Sequence, residues 1–325
     1  MARGELMKKL LASYGQDEAF RLVAEQIIQE EEKKNNRVLA RSLRRSLEAR
    51  AVPKAPLRSL APLLPFPEEA NDFVERIEPS RTRQDIALTG ENWALLDALT
   101  KEFRRGEDIR GRGLAVRSKL LFCGPPGCGK TLCAEVFAAE MGLPLYVVKL
   151  DRLISSYLGE TATNVRKIFE FARKQPCVLF LDEFDALARS REDISEHSEL
   201  RRVVNSLLVF IDRIAPRGFL VAATNIEQTL DAAIWRRFDE VLWFDMPDRA
   251  MVTTFLEMKF RNTASSFNPR QFAPKLDGYS YAEIERVCTQ SIRTAIVERH
   301  KQIQKVDFET ALANEARRKV RRGTT

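Results

Sequence analysis

A chain of 325 residues has room for one large domain or roughly two to three smaller ones, and 44% apolar with 30% charged residues marks it as globular. No apolar run approaches the roughly 18 to 20 residues that span a bilayer, and charge interrupts "MARGELMKKLLASYGQDEAF" too often for a secretory signal, so a cytoplasmic protein without a membrane partner is expected. The five cysteines include no CxxC pair, which argues against a disulfide framework or a zinc site; the net charge of +7 collects in the first fifty residues and the tail "EARRKVRRGTT", so a nucleic-acid partner is not expected.

The chain opens with "GELMKKLLASY", "DEAFRLVAEQIIQEEEKK" and "RVLARSLRRSLEAR". Leu6, Leu10, Phe20, Val23, Ile27, Leu39, Leu43 and Leu47 recur every three or four residues, which predicts a small helical bundle over residues 1–50. Residues 51–70 include "AVPKAPLRSLAPLLPFP", whose prolines lack amide donors and fix φ, so they are expected to form a linker. From residue 71 to 246 strands alternate with helices. "KLLFC" (119–123), "LYVVKL" (145–150), "CVLFLD" (177–182), "FLVAAT" (219–224) and "EVLWF" (240–244) are continuous apolar runs, which predicts an α/β domain with a parallel sheet covered on both faces. After Pro247 the strand patterns stop, and residues 247–325 read as a helical subdomain ending in the basic tail.

Directly after the first of these strands stands "GPPGCGKT", Gly124 to Thr131, leading into the helical "LCAEVFAAEM". Glycines let successive amides point at one anion, and the helix adds its positive N-terminal end. Gly124, Pro125, Pro126, Gly127, Cys128, Gly129, Lys130, Thr131 and Leu132 are therefore the expected nucleotide-binding set of a phosphate cradle. Lys130 is expected to reach the β- and γ-phosphates and the Thr131 hydroxyl to ligate Mg²⁺. The strand "CVLFLDEFD" brings Asp182 and Glu183 to a strand end on the same edge: Asp182 can hold Mg²⁺, and Glu183 can polarise the water that attacks the γ-phosphate. "AATN" adds Asn225, an uncharged amide for the water or the γ-phosphate. Arg236 and Arg237, in "LDAAIWRRFDE", are candidates for the cationic help that phosphoryl transfer needs.

One further stretch, "SSYLGETATN", presents Tyr157, Leu158 and Gly159 between the second strand and the helical "NVRKIFEFARK". An aromatic on a loop with a glycine to bend it is a contact residue in search of a partner. Cys128 reads either as a redox-sensitive thiol near a positive helix end or as a small packed side chain.

The ordered set "GPPGCGKT", "VLFLDEFD", "AATN", "LDAAIWRRFD" and "GYSYAEIERVC" resembles the AAA family of AAA+ ATPases, over roughly residues 71–316. The resemblance implies a P-loop αβα large domain with a helical lid, assembled as a homo-oligomeric ring, usually a hexamer, with ATP and Mg²⁺ at subunit interfaces. Lys130, Thr131, Asp182, Glu183 and Asn225 would act in cis, while Arg236 and Arg237 match the arginine fingers that reach a neighbour's site. Asp85 and Ile86 match the adenine-side segment, and Gly278 and Ala282 the lid motif, in which Tyr281 replaces the usual glycine and Glu283 the usual aspartate. Tyr157, Leu158 and Gly159 resemble the first pore loop, which grips an extended polypeptide client. "RSREDISEHSEL" fits a second pore loop or a plain charged connector. The expected function is ATP-driven translocation, unfolding or disassembly of proteins, with residues 1–50 selecting a client or adaptor and a separate protease as a possible partner. The alternative is a nucleic-acid motor or loader that uses the basic ends, against which the pore-loop tyrosine argues.

Overall fold

The computed structural model describes residues 73–150, 158–185, 198–225, 232–261 and 263–322. The expected N-terminal bundle and linker, Tyr157 and most of the charged segment 189–200 lie outside the described residues.

Six strands form one sheet: β1 (Val74–Ile77), β2 (Lys119–Cys123), β3 (Leu145–Lys149), β4 (Val178–Asp182), β5 (Phe219–Thr224) and β6 (Glu240–Trp243), in the order β1-β3-β4-β5-β2-β6. The five strands read from the sequence all form and pair in parallel. The sheet departs from the expectation at one edge, where β1 pairs antiparallel with β3, Val74 opposite Val148 and Ile77 opposite Leu145. Its "VERI" has two charged residues in four, too short and too polar to give a period, and only the long-range pairing identifies it.

Each parallel strand alternates between two cores. Leu121, Leu179, Leu181, Leu220 and Ala222 face one, with Val165, Ile168 and Phe169 of α4 (Leu158–Lys174) and Leu207, Leu208 and Ile211 of α5 (Ser198–Arg213). Leu120, Phe122, Val178, Phe180, Phe219 and Val221 face the other, with Leu96 and Leu99 of α1 (Gly90–Arg104) and Val136, Phe137 and Met141 of α3 (Lys130–Met141). Period-2 alternation with apolar residues on both sides is what a sheet buried by helices on both faces requires. A short α2 (Gly106–Gly111) follows α1. Because β2 lies between β5 and β6, the chain order reverses beside it, and the crevice at its carboxyl end is where ligands of open α/β sheets bind.

After β6 come α7 (Arg249–Phe260), a 3₁₀ segment (Pro269–Leu276), α8 (Tyr281–Val297) and α9 (Lys305–Arg322); α6 (Ala232–Trp235) precedes β6. Phe260, Phe267, Phe272 and Phe308 build a separate aromatic core here, Phe272 and Phe308 at 4.4 Å between ring centroids. Asp248 caps α7 by accepting from the Met251 amide at 2.7 Å, and Ser280 with Glu283 forms a capping box on α8. No helix among the described residues is long and apolar enough to cross a membrane.

Candidate functional site

The turn after β2 is shaped by what cannot fit. A Cβ on Gly124, whose φ is +147°, would lie 2.0 Å from the Phe244 carbonyl oxygen, so only glycine lets the turn leave the strand beside the end of β6. Gly127 has φ +77° and faces α8: a Cβ there would stand 3.0 Å from both the Ala282 Cβ and the Ser280 Oγ, while the Ala282 amide donates to the Gly127 carbonyl at 3.0 Å. The cradle is therefore closed from above by the first turn of α8. Gly124→Ala is expected to cost about 2 to 3 kcal/mol through strain and the forced shift of β6, read as a lowered denaturation midpoint.

Lys130, 8% exposed, opens α3. Its ammonium donates to the carbonyls of Gly124 at 2.6 Å and Pro125 at 3.0 Å and to Asn225 Oδ1 at 2.8 Å. Burial lowers its pKa, opposed by the neighbouring carboxylates of Asp182 and Asp185. Three uncharged acceptors thus hold a cation that an incoming phosphate can compete for. Thr131 is exposed on the first turn of α3, and Leu132 packs toward the core behind the cradle. Pro126 is exposed at the rim.

Asp182 ends β4. Burial raises its pKa, and its Oδ1 accepts the Glu183 amide at 3.0 Å. Glu183 takes a left-handed backbone, φ 53°, uncommon for a residue with a Cβ, which turns the chain so that adjacent acids leave it in different directions. The Phe184 amide then donates to the Ala223 carbonyl at 2.8 Å, locking this turn to β5. Asp185, 2% exposed, accepts the Asn225 amide at 3.3 Å and so ties the ends of β4 and β5 together. Sequence reasoning missed Asp185, although the second acid of "DEFD" was the available signal. Lys130, Asp182, Asp185 and Asn225 thus gather at one sheet edge, with Glu183 exposed beside them.

The chemistry of this donor set fits Mg²⁺ held with a nucleotide. Among the described residues no group of three or more His, Cys, Asp or Glu can hold a metal unaided. Mg²⁺ needs no such cage, since one or two protein oxygens suffice when phosphates supply others. Asp182 and the Thr131 hydroxyl are the oxygens at hand.

Ile86 reaches the cradle, its Cδ1 3.8 Å from where a Gly129 Cβ would stand. Asp85, by contrast, spends its carboxylate on its own turn, accepting from the Thr82 amide at 2.8 Å and hydroxyl at 2.9 Å, which holds its pKa below the ordinary carboxylate value. Gly278 has φ +72° and open space around it, and its carbonyl accepts from Lys319 of α9. Cys128 is 2% exposed with its Sγ 3.7 Å from Met246 Sδ, and burial raises its thiol pKa, which supports the packed reading over the reactive one.

Arg236 and Arg237 lie elsewhere. They precede β6, whose Glu240 pairs with Leu120, so they stand at the amino edge of the strands, opposite the cradle. Arg237 Nε is ion-paired with Asp212 Oδ1 of α5 at 3.0 Å, whereas Arg236 is exposed with no ion pair among the described residues. Leu158 and Gly159 are not on the expected loop: α4 begins at Leu158, ahead of the start expected at Asn164.

The AAA family, "ATPase family associated with various cellular activities", matches residues 120–246. An uncharacterized AAA family ATPase, y4kL, of Sinorhizobium fredii is 69% identical over 324 residues, covering 98% of this chain and 97% of the relative. ATP-dependent zinc metalloprotease FtsH 3 of Sphaerobacter thermophilus is 32% identical over 250 residues, 74% of this chain and 51% of the relative. Peroxisomal ATPase PEX6 of Candida glabrata is 32% identical over 243 residues, 70% of this chain and 24% of that one. The chain thus spans nearly all of the first relative and about half or less of the other two.

Proposed function

The chain belongs to the AAA family of ATPases, and from that premise we propose that it forms a homo-oligomeric ring, a hexamer, whose Mg²⁺-dependent ATP hydrolysis pulls a polypeptide client through a central pore. The observation that carries this reading is the placement of Arg236. Strand β2, five residues long, separates the amino edge from the cradle by roughly 16 Å at about 3.3 Å per residue. That is farther than an arginine side chain extends, which supports an exposed Arg236 serving phosphoryl transfer in another copy's site. Within each site Lys130 would bind the β- and γ-phosphates, Asp182 and Thr131 would hold Mg²⁺, Glu183 would take a proton from the attacking water, and Asn225 would orient it. The metal, when bound, would neutralise charge on the phosphates. Ile86 would line the adenine side with its side chain and Asp85 only with its backbone, with Ala282 and Gly278 closing the site from the helical part.

Residues 71–246 are then the large ATPase subdomain, 247–325 the lid, 51–70 a linker and 1–50 a client- or adaptor-binding domain, all in the cytoplasm. A separate protease is a fitting partner, since one of the relatives is an ATP-dependent metalloprotease. Tyr157, directly ahead of α4, would grip the client by wedging its ring between client side chains.

Tyr157→Ala tests the pulling. It is expected to assemble and to hydrolyse ATP within a few-fold of the parent chain while losing client unfolding per ATP, and Tyr157→Phe to keep both. Unfolding by Tyr157→Ala at the parent rate per ATP ends the pore-loop reading. A half-buried structural tyrosine predicts instead a loss of roughly 2 to 4 kcal/mol in stability, with ATPase and unfolding falling together.

A further inference from the structure

The exposed arginine adjoins Trp235, whose ring stacks on that of Trp243 at the carboxyl end of β6, a pair that the proposed chemistry does not use. Trp235, the last residue of α6 and the direct neighbour of Arg236, packs against the core on the α4 and α5 side of the sheet. Trp243 lies over it with ring centroids 5.7 Å apart and planes 25° from parallel. Val241 and Trp243 alternate with buried Leu242 on β6, so both project to the face on which Trp235 packs.

The outer tryptophan is 45% exposed, yet its backbone is firmly held. Its carbonyl accepts the side-chain amide of Asn92, itself 8% exposed, at 2.7 Å. The next residue, Phe244, donates its amide to the Cys123 carbonyl at 2.7 Å and rests its own carbonyl against Gly124. At the other end of the segment, the Asp239 carboxylate accepts the amides of Ser118 and Lys119 at 2.8 and 2.9 Å. Arg236 is thus carried on a turn clamped downstream by Asp239. Upstream it has Trp235, one face on the core and the other covered by Trp243.

An exposed arginine has many rotamers, so what the protein can fix is where its backbone stands. We propose that Trp243 is a positioning residue for Arg236: stacked on Trp235, it sets the height and direction from which Arg236 enters the neighbouring copy's nucleotide site. The inference rests on the reading that Arg236 acts in trans. It explains why a large aromatic ring is kept at a strand end with 45% of its surface in solvent.

The test compares Trp243→Ala, Trp243→Phe and Trp243→Leu with the parent chain and with Arg236→Ala, each full-length. Displacing a catalytic group by a fraction of an ångström to an ångström lowers turnover steeply, so Trp243→Ala is expected to lower kcat on the order of tenfold. Its ATP affinity in single-site binding and its oligomeric mass should stay at the parent values, while its melting temperature should fall by a few degrees with the lost stack. Trp243→Phe, which can still stack, should recover kcat to within about twofold, whereas Trp243→Leu, of similar apolar character but without a ring, should resemble Trp243→Ala. Parent-like kcat in Trp243→Ala, or Trp243→Leu recovering as fully as Trp243→Phe, overturns the proposal. So does a fall in oligomeric mass that accounts for the lost turnover, since Trp243 would then be an assembly contact. Full turnover by Arg236→Ala instead brings down the trans reading underneath, whatever the tryptophan variants do.

Discussion

Glu183→Gln is expected to bind ATP as tightly as the parent chain and to hydrolyse it on the order of a hundredfold more slowly, or worse. The substitution keeps the length and shape of the side chain and removes only the charge proposed to accept a proton from water. Geometry favours a clean separation of binding from chemistry. Glu183 is exposed at the crevice, its amide bonded to Asp182 and the next amide to the Ala223 carbonyl, so its left-handed backbone is held by groups the substitution leaves in place. Lys130→Ala is expected to act on the other quantity. It removes the cation proposed to meet the phosphates and leaves the Gly124 and Pro125 carbonyls and Asn225 Oδ1 without their donor, so tight nucleotide binding should disappear. Equilibrium binding of a fluorescent ATP analogue and steady-state phosphate release separate the two. Equal turnover in Glu183→Gln and the parent would remove Glu183 from the proton transfer. The same Glu183→Gln chain, stalled with ATP bound, should retain its client through purification.

Why some of this was legible in the sequence and some was not has a physical reason in each case. The turn expected to be the cradle was readable because its backbone restricts residue type: glycine stands where the Phe244 carbonyl leaves no room for a Cβ, and Lys130 opens α3. Strands β2 and β5 were placed to the residue, since a strand buried on both faces has to be a continuous apolar run bounded by turn residues. Strand β1 obeys no such rule, because an edge strand with one face toward solvent can be half polar. Asp185 escaped because its role is to hold another residue's amide, a relation between two strand ends distant in sequence. Asp85 and Ile86 matched a pattern equally well, yet one side chain is consumed by its own turn and the other reaches the cradle. The start of α4 depended on Leu158 and Gly159, where glycine and the small polar residues after it argue locally for a loop. Arg236 and Arg237 are the sharpest case, being identical and adjacent: nothing local says which one is bound within its own chain.

That difference yields the second large effect. Arg236→Ala is expected to leave ATP binding by the isolated chain intact and to cut ring turnover by roughly a thousandfold, the range in which a trans arginine acts in phosphoryl transfer. Arg237→Ala should behave differently, because Arg237 is already paired with Asp212 and sits in the turn whose amide donates to the Ile234 carbonyl. Losing it should loosen the contact between α5 and the turn, lowering stability and turnover together and by much less. The assignment in trans is tested by mixing. A ring built from Arg236→Ala and Lys130→Ala chains contains some interfaces where an intact cradle meets an intact Arg236, although neither parent ring has any. Turnover should therefore rise above both homogeneous rings, with a maximum at intermediate mixing ratios. A mixture shown by mass measurement to co-assemble, yet no more active than the weighted average of its parents, would count against Arg236 serving its neighbour. Equal losses from Arg236→Ala and Arg237→Ala would instead mean that the ion pair with Asp212 opens in the working ring and both guanidinium groups reach the phosphate.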